Sequence, residues 1–148
     1  QSVTDNATHI MLVAAGTADT TLIDGITFRK GYAYLGGNYM FNGKNFLRNN
    51  GGAISSHTSL LHITDCNFYN NTGGTQSGAV HINGGRFVST GSLYDGNTAG
   101  SGGAVCAEAL VDTLRLVANV WVRNTASTGT GGAVFGTFPS TSTYTDMS

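Results

Sequence analysis

The sequence predicts an all-β domain in which one short unit of strands repeats along the chain, and three observations carry that expectation. First, the stretch "NFLRNNGGAIS" (45–55) recurs: "NFYNN" (67–71) leads to "SGAVHI" (77–82), "LYDGN" (93–97) to "GGAVCA" (102–107), and "WVRN" (121–124) to "GGAVFG" (131–136). Aligned on Phe46, Phe68, Tyr94 and Trp121 the steps are 22, 26 and 27 residues; aligned on Ala53, Ala79, Ala104 and Ala133 they are 26, 25 and 29. Such a period marks stacked repeats. Second, apolar residues alternate with period two in "LLHIT" (60–64) and "LRLVANVW" (114–121), the signature of strands. Third, Gly, Thr, Asn and Ser make up 67 of 148 residues with a single Pro. That composition favours turns and strands over helices, while 40% hydrophobic residues oppose disorder.

Stacking the copies forms vertical rows. Tyr39, Leu61, Phe87 and Leu114 lie seven residues before the aromatics, and Phe41, Ile63, Ser89 and Leu116 five before. Ile54, Val80, Val105 and Val134 follow the Ala of each copy. These mostly apolar rows are the expected interior. Asn49, Asn71, Asn97 and Asn124 read as corner residues, since Asn tolerates the left-handed conformation and stacked amides form ladders. Gly52, Gly78, Gly103 and Gly132 read as corners with φ > 0. On this basis Asn71→Leu and Gly103→Val are expected to destabilise the chain more than Ser92→Ala.

At these residues the chain resembles a known family. Phe46…Asn49, Phe68…Asn71 and Trp121…Asn124, with Gly52-Ala53-Ile54, Gly78-Ala79-Val80, Gly103-Ala104-Val105 and Gly132-Ala133-Val134, resemble the F-x-x-N and G-G-A-[IVL] repeats of chlamydial polymorphic outer-membrane proteins and related bacterial surface proteins. Tyr94 departs from Phe, and Ser77 stands where the pattern has Gly. The resemblance covers residues 46–136. It implies an all-β, single-stranded right-handed parallel β-helix (a solenoid), here of about five to six coils spaced ~4.8 Å apart. Those relatives are long passengers carried by a membrane barrel, and no barrel is read in these 148 residues.

The whole chain, 1–148, is expected to form one domain. "TTLIDGITFRKG" (20–31) fits half a coil, with Phe28 as its aromatic and Gly31 replacing Asn; "GYAYLGGNYMFNGKNF" (31–46) then reads as a shortened turn. Residues 137–148 read as an irregular tail.

A net charge of −1 with 10% charged residues argues against a nucleic-acid groove or a polybasic membrane contact, and no apolar run is long enough to span a bilayer. The chain opens at Gln1 rather than Met, so removal of an upstream segment, a secretion signal among the options, is expected.

Reactive side chains are few. Alternation sends the row Ser55, His81, Cys106 and Phe135 outward, and with it His57 and Glu108 two residues further on. His57, His81, Cys106 and Glu108 therefore form a candidate surface cluster for a Cys–His pair or a metal ion, set against the plainer reading of a solvated strand face. No catalytic residue, metal or cofactor is assigned. The acidic residues are scattered, unlike the paired carboxylates or Ca²⁺ sites of polysaccharide-cleaving proteins. Asn6 and Asn70 head N-x-T sequons and are candidate glycosylation sites. Cys66 and Cys106 are not expected to pair with each other, though an outward Cys106 could bridge two molecules.

The expected function is a non-enzymatic extracellular or cell-surface structural or adhesive module. Its partners would be copies of itself stacking head to tail into a fibre, further coils of a longer chain, or cell-surface glycans. The strand-like "THIMLVAAG" (8–16) and "GGAVFG" (131–136), without a capping helix, motivate the stacking. The alternative is a carbohydrate-binding or polysaccharide-cleaving protein that uses the aromatics of "GYAYLGGNYMF" (31–41); a lesser one is ice binding through threonines.

Overall fold

The computed structural model describes residues 8–16, 18–58 and 60–137; among these there are seventeen strands and no helix. The first repeat supplies β1 (Met11–Ala14), β2 (Thr20–Asp24), β3 (Thr27–Arg29) and β4 (Tyr32–Ala33). A hairpin of β5 (Asn38–Phe41) and β6 (Lys44–Leu47) follows. The second repeat holds β7 (Ile54–His57), β8 (Leu60–Thr64), β9 (Asn67–Tyr69) and β10 (Thr72–Gly73). In the third, β11 (Val80–Thr90) fuses the first two segments ahead of β12 (Leu93–Asp95) and β13 (Thr98–Ala99). The fourth repeats that plan in β14 (Val105–Val117), β15 (Val120–Val122) and β16 (Thr125–Ala126), and β17 (Val134–Gly136) opens a fifth.

Apart from the antiparallel β5–β6 hairpin, these strands form three parallel sheets. One runs β1-β7-β11-β14-β17 with β2 and β8 alongside, the second β3-β9-β12-β15, and the third β4-β10-β13-β16. Each full repeat thus gives a strand to every sheet. The predicted rows hold in register: Ile54, Val80, Val105 and Val134 pair in series and Met11 extends them. Ile63, Ser89 and Leu116 also pair in series. The inward members Ile54, Val80, Val105, Leu61 and Phe87 are buried.

The first copy was misaligned in the sequence. Phe46 and Asn49 are not the first aromatic and the first ladder Asn. Phe46 lies on the antiparallel β5–β6 hairpin, facing Tyr39. Its turn, Asn42-Gly43, has φ of 46° and 69°, the type I′ geometry that Asn-Gly favours. Phe28 takes the aromatic place, and Thr21 and Ile23 occupy the rows assigned to Tyr39 and Phe41. Gly31 to Ala33 thus complete the first repeat, and Asn38 to Leu47 are an inserted hairpin rather than a shortened coil. Phe28, Phe68, Tyr94 and Trp121 stack face to face, with centroids 5.1, 4.7 and 4.3 Å apart and planes within 9°.

Two ladders of polar side chains flank this aromatic stack. Asn71 Oδ1 accepts the Gly31 N–H, Asn97 Oδ1 the Asn71 N–H, and Asn124 Oδ1 the Asn97 N–H, at 2.9–3.0 Å. Each amide nitrogen donates back to the carbonyl of the preceding repeat's aromatic, Phe28, Phe68 or Tyr94. Asn49 stands outside and bonds Thr75 Oγ1 instead. The left-handed corner residues are the ones before the ladder positions, namely Lys30, Asn70, Gly96 and Arg123. The second ladder lies two residues before each aromatic. Cys66 Sγ takes the Ile26 N–H at 3.4 Å, Ser92 Oγ the Cys66 N–H at 3.1 Å, and Asn119 Oδ1 the Ser92 N–H at 3.0 Å. Ser92 is buried, so it is no neutral control.

The glycine assignment also changes. Gly52, Gly78, Gly103 and Gly132 lack a positive φ; in three copies that belongs to the preceding Gly51, Gly102 and Gly131, and in the fourth to Ser77 (φ 53°). Gly103 is required because a Cβ there would lie 2.1 Å from the Gly132 carbonyl oxygen of the next repeat. Four full repeats and the start of a fifth are described, fewer than the expected five to six. Of the expected irregular tail, residues 138–148 lie outside the described residues.

Candidate functional site

The corner segments decide what becomes of the outward row. Ser55, His81 and Cys106 are in register on β7, β11 and β14 and point away from the apolar interior, as alternation requires. They are nonetheless buried, with His81 2% and Cys106 0% exposed. The segments leading into each Gly-Ala phrase fold over them. A Cβ on Gly51 would lie 2.9 Å from His81 Cβ, and one on Gly102 3.1 Å from Cys106 Cβ. Two of the four residues expected on the surface, His81 and Cys106, are therefore covered, while His57 and Glu108 stay partly exposed. A bridge from Cys106 to another molecule is excluded in this conformation, and both cysteines are free thiols.

Three of the four candidates come together. One ligand atom from each of His81, Cys106 and Glu108 can be chosen so that all lie within 4.8 Å of one another. His81 Nε2 is 3.3 Å from Glu108 Oε2. Gln76 Nε2 donates to Glu108 Oε1 at 2.5 Å, and Asn50 Nδ2 donates to Gln76 Oε1 at 2.8 Å. Asn50 Nδ2 also lies 3.4 Å from His81 Nε2. Asn50 and Gln76 come from the covering corner segments, so sequence alternation alone does not find them. His57 is absent from the group. Its ring packs edge-on against Phe46 at 4.7 Å, and it lines a different cleft with Lys44, Gly84 and Arg86.

The electrostatics follow from burial. The Cys106 thiol is pushed up to about 12, first by burial and then by the Glu108 charge. It is protonated at neutral pH, and unassisted it is no nucleophile. The hydrogen bond from His81 holds the Glu108 carboxyl below its ordinary value, against the opposing effect of burial. Burial lowers His9 and His57. His9 Nδ1 is 2.9 Å from the Gly51 carbonyl, which fixes the corner over His81.

Elsewhere, the inserted hairpin and its approach expose Tyr34, Leu35, Met40 and Phe41, with Met40 68% exposed. Tyr32 and Tyr34 stack at 5.5 Å. Asn70 is exposed, as its sequon reading expected, while Asn6 lies outside the described residues. No helix among the described residues is long and apolar enough to cross a membrane. Comparison of the chain with protein-family models, curated proteins and solved structures found no match.

Proposed function

We propose that the three parallel sheets are the faces of one right-handed parallel β-helix, and that the protein is a non-enzymatic structural or adhesive module of an extracellular or cell surface. The solenoid reading is supported by the recurrence of the same strand order in every sheet and by the resemblance of the F-x-x-N and G-G-A phrases to surface-passenger repeats. One observation carries the functional reading. The polar side chains that the repeat brings into line (Asn71, Asn97 and Asn124; Ser92 and Asn119) are engaged by the neighbouring repeat rather than turned toward a ligand. The reactive His81 and Cys106, in turn, are covered, and the thiol is protonated.

Among the described residues, β1 to β4 at one end and β15 to β17 at the other pair on one side only. Their free backbone groups can be met by a second copy stacked head to tail, which yields a fibre, or by further repeats of a longer chain. Sedimentation and electron microscopy of the purified chain test this: filaments or concentration-dependent oligomers are expected, and a monomer at high concentration removes self-assembly by the chain alone.

A carbohydrate-binding reading has its own support in the stacked Tyr32 and Tyr34 and in the exposed Met40 and Phe41. Glycan-array binding that is lost in Tyr34→Ala would favour it. Turnover of an acidic polysaccharide that a single Asp substitution abolishes would overturn the non-enzymatic reading.

A further inference from the structure

We propose that His81, Cys106 and Glu108 form a site for a single divalent transition-metal ion, zinc by ligand chemistry, which ties the third repeat to the fourth beneath the covering corners. Imidazole, thiol and carboxylate are the three side-chain types that zinc takes together, with ligand distances of roughly 2.0–2.3 Å. In a tetrahedron of that size a nitrogen and an oxygen ligand stand about 3.4 Å apart. His81 Nε2 and Glu108 Oε2 already stand 3.3 Å apart. A sulfur and a nitrogen stand about 3.6 Å apart in the same geometry. The 4.8 Å limit on the whole group therefore leaves a contraction that side-chain rotation can supply.

A second observation points to a cation. Asn50 Nδ2 and Glu108 Oε2 both face His81 Nε2, at 3.4 and 3.3 Å. One ring nitrogen cannot accept from the amide and donate to the carboxylate at once, so either tautomer leaves one contact unmade. Asn50 Oδ1 and Ser55 Oγ are fully buried without a hydrogen-bond partner, and Ser55 is the register partner of His81. Buried polar atoms left in this state are uncommon. An ion held by Nε2 and Oε2 removes the conflict, because both atoms then direct lone pairs at it. It leaves a fourth position for water or a carboxamide oxygen.

Support and access are also present. Gln76 orients the Glu108 carboxylate through its second oxygen, as outer partners of metal-binding carboxylates do. A cleft of about 440 Å³, lined by Asn38, Leu47, Asn50, Gln76 and Glu108, opens the Glu108 side of the group to solvent, while His81 and Cys106 lie buried behind it. On coordination the Cys106 thiol forms an S–metal bond and releases its proton to water, so the sulfur undergoes no redox change.

The test uses the full chain, kept reduced with a phosphine and stripped with a chelator, then titrated with Co²⁺. A thiolate-to-cobalt charge-transfer band that saturates at one ion per chain is expected, displaced by one equivalent of Zn²⁺, with a higher melting temperature in Zn²⁺. Cys106→Ala should abolish the band. Glu108→Gln, at a half-buried residue, should weaken Co²⁺ binding by about ten-fold or more, whereas His57→Ala should leave it unchanged. Circular dichroism establishes that each variant is folded; if Cys106→Ala is not, Glu108→Gln decides. The proposal is overturned if the wild-type chain gives no band, if the band survives Cys106→Ala, or if Glu108→Gln binds Co²⁺ as wild type does. Each of these failures would leave the structural reading of the fold untouched.

Discussion

Asn97 holds Asn71 twice: its Oδ1 accepts both the Asn71 backbone N–H and the Asn71 side-chain amide, each at 3.0 Å. Both residues are fully buried, and Asn97 Nδ2 closes the arrangement by donating to the Phe68 carbonyl. One side chain therefore satisfies a backbone donor and a backbone acceptor at a corner where the sheet ladders are interrupted.

Asn97→Ala should consequently cost about 3 kcal/mol, since it leaves several buried groups unpaired at roughly 1–3 kcal/mol each. Asn49→Ala, outside the ladder and losing a side-chain bond to Thr75 near the surface while its backbone bonds stay, should cost less than about 0.5 kcal/mol. Urea denaturation of the two variants makes the comparison. Equal losses would show that the ladder does not hold the repeats.

Gly103 and Gly132 occupy equivalent positions, yet they should respond differently to an added methyl group. A Cβ on Gly103 meets the Gly132 oxygen at 2.1 Å, whereas among the described residues the nearest atom to one on Gly132 is 3.7 Å away. Gly103→Ala is expected to cost about 2–4 kcal/mol through overpacking and backbone displacement. Gly132→Ala should stay within about 0.5 kcal/mol of wild type. Melting temperatures that fall together would refute the close-approach account.

Acid should destabilise the protein in two stages. Burial lowers His9 and His57 below 6.5, so below that pH the unfolded chain binds more protons than the folded one. Stability therefore falls as pH drops from 6.5 through the folded values. Glu108, lowered from 4.5 by its hydrogen bond to His81, contributes stability that is present above 4.5 and lost as pH falls through its folded value. His57→Gln should flatten the upper stage and Glu108→Gln the lower one, read as melting temperature against pH. If each substitution leaves the slope in its own window unchanged, the assignment fails.

Much of this was legible in the sequence, and the exceptions have identifiable causes. Alternation and period placed Ile54, Val80 and Val105 inside because both reflect backbone geometry, which recurs in each copy. The same logic failed at Phe46, where an inserted hairpin brought an aromatic and an Asn at nearly the right spacing; the Asn42-Gly43 turn signal would have exposed it. Burial of His81 and Cys106 was not legible, since the cover comes from Asn50, Gly51, Ser77 and Gly102. Their path over the row depends on φ values that a strand pattern does not encode. The second ladder left a visible trace, a small or polar residue two places before each later aromatic (Cys66, Ser92, Asn119).

That trace leads to a prediction about Cys66, which by its bonds acts as an acceptor in the ladder rather than as a reactive thiol. Its Sγ accepts the Ile26 N–H at 3.4 Å and lies 3.2 Å from the Thr64 carbonyl, which it can bond as a donor. Ser92, one repeat on, does the same with a hydroxyl: it accepts from Cys66 N–H at 3.1 Å and donates to the Thr90 carbonyl at 3.2 Å. Oxygen is the stronger acceptor and donor, and the site already has the geometry that Ser uses elsewhere. Cys66→Ser should therefore fold and lie within about 1 kcal/mol of wild type, the improved hydrogen bonds offsetting the loss of the larger, more apolar sulfur. Cys66→Val fills a similar space but leaves the Ile26 N–H without its acceptor, and Ser92→Ala does likewise to the buried Cys66 N–H. Each should cost about 1–3 kcal/mol. Chemical denaturation of the three variants gives the order. If Cys66→Val proves as stable as Cys66→Ser, sulfur is there for packing alone and the second ladder does not extend to the first repeat.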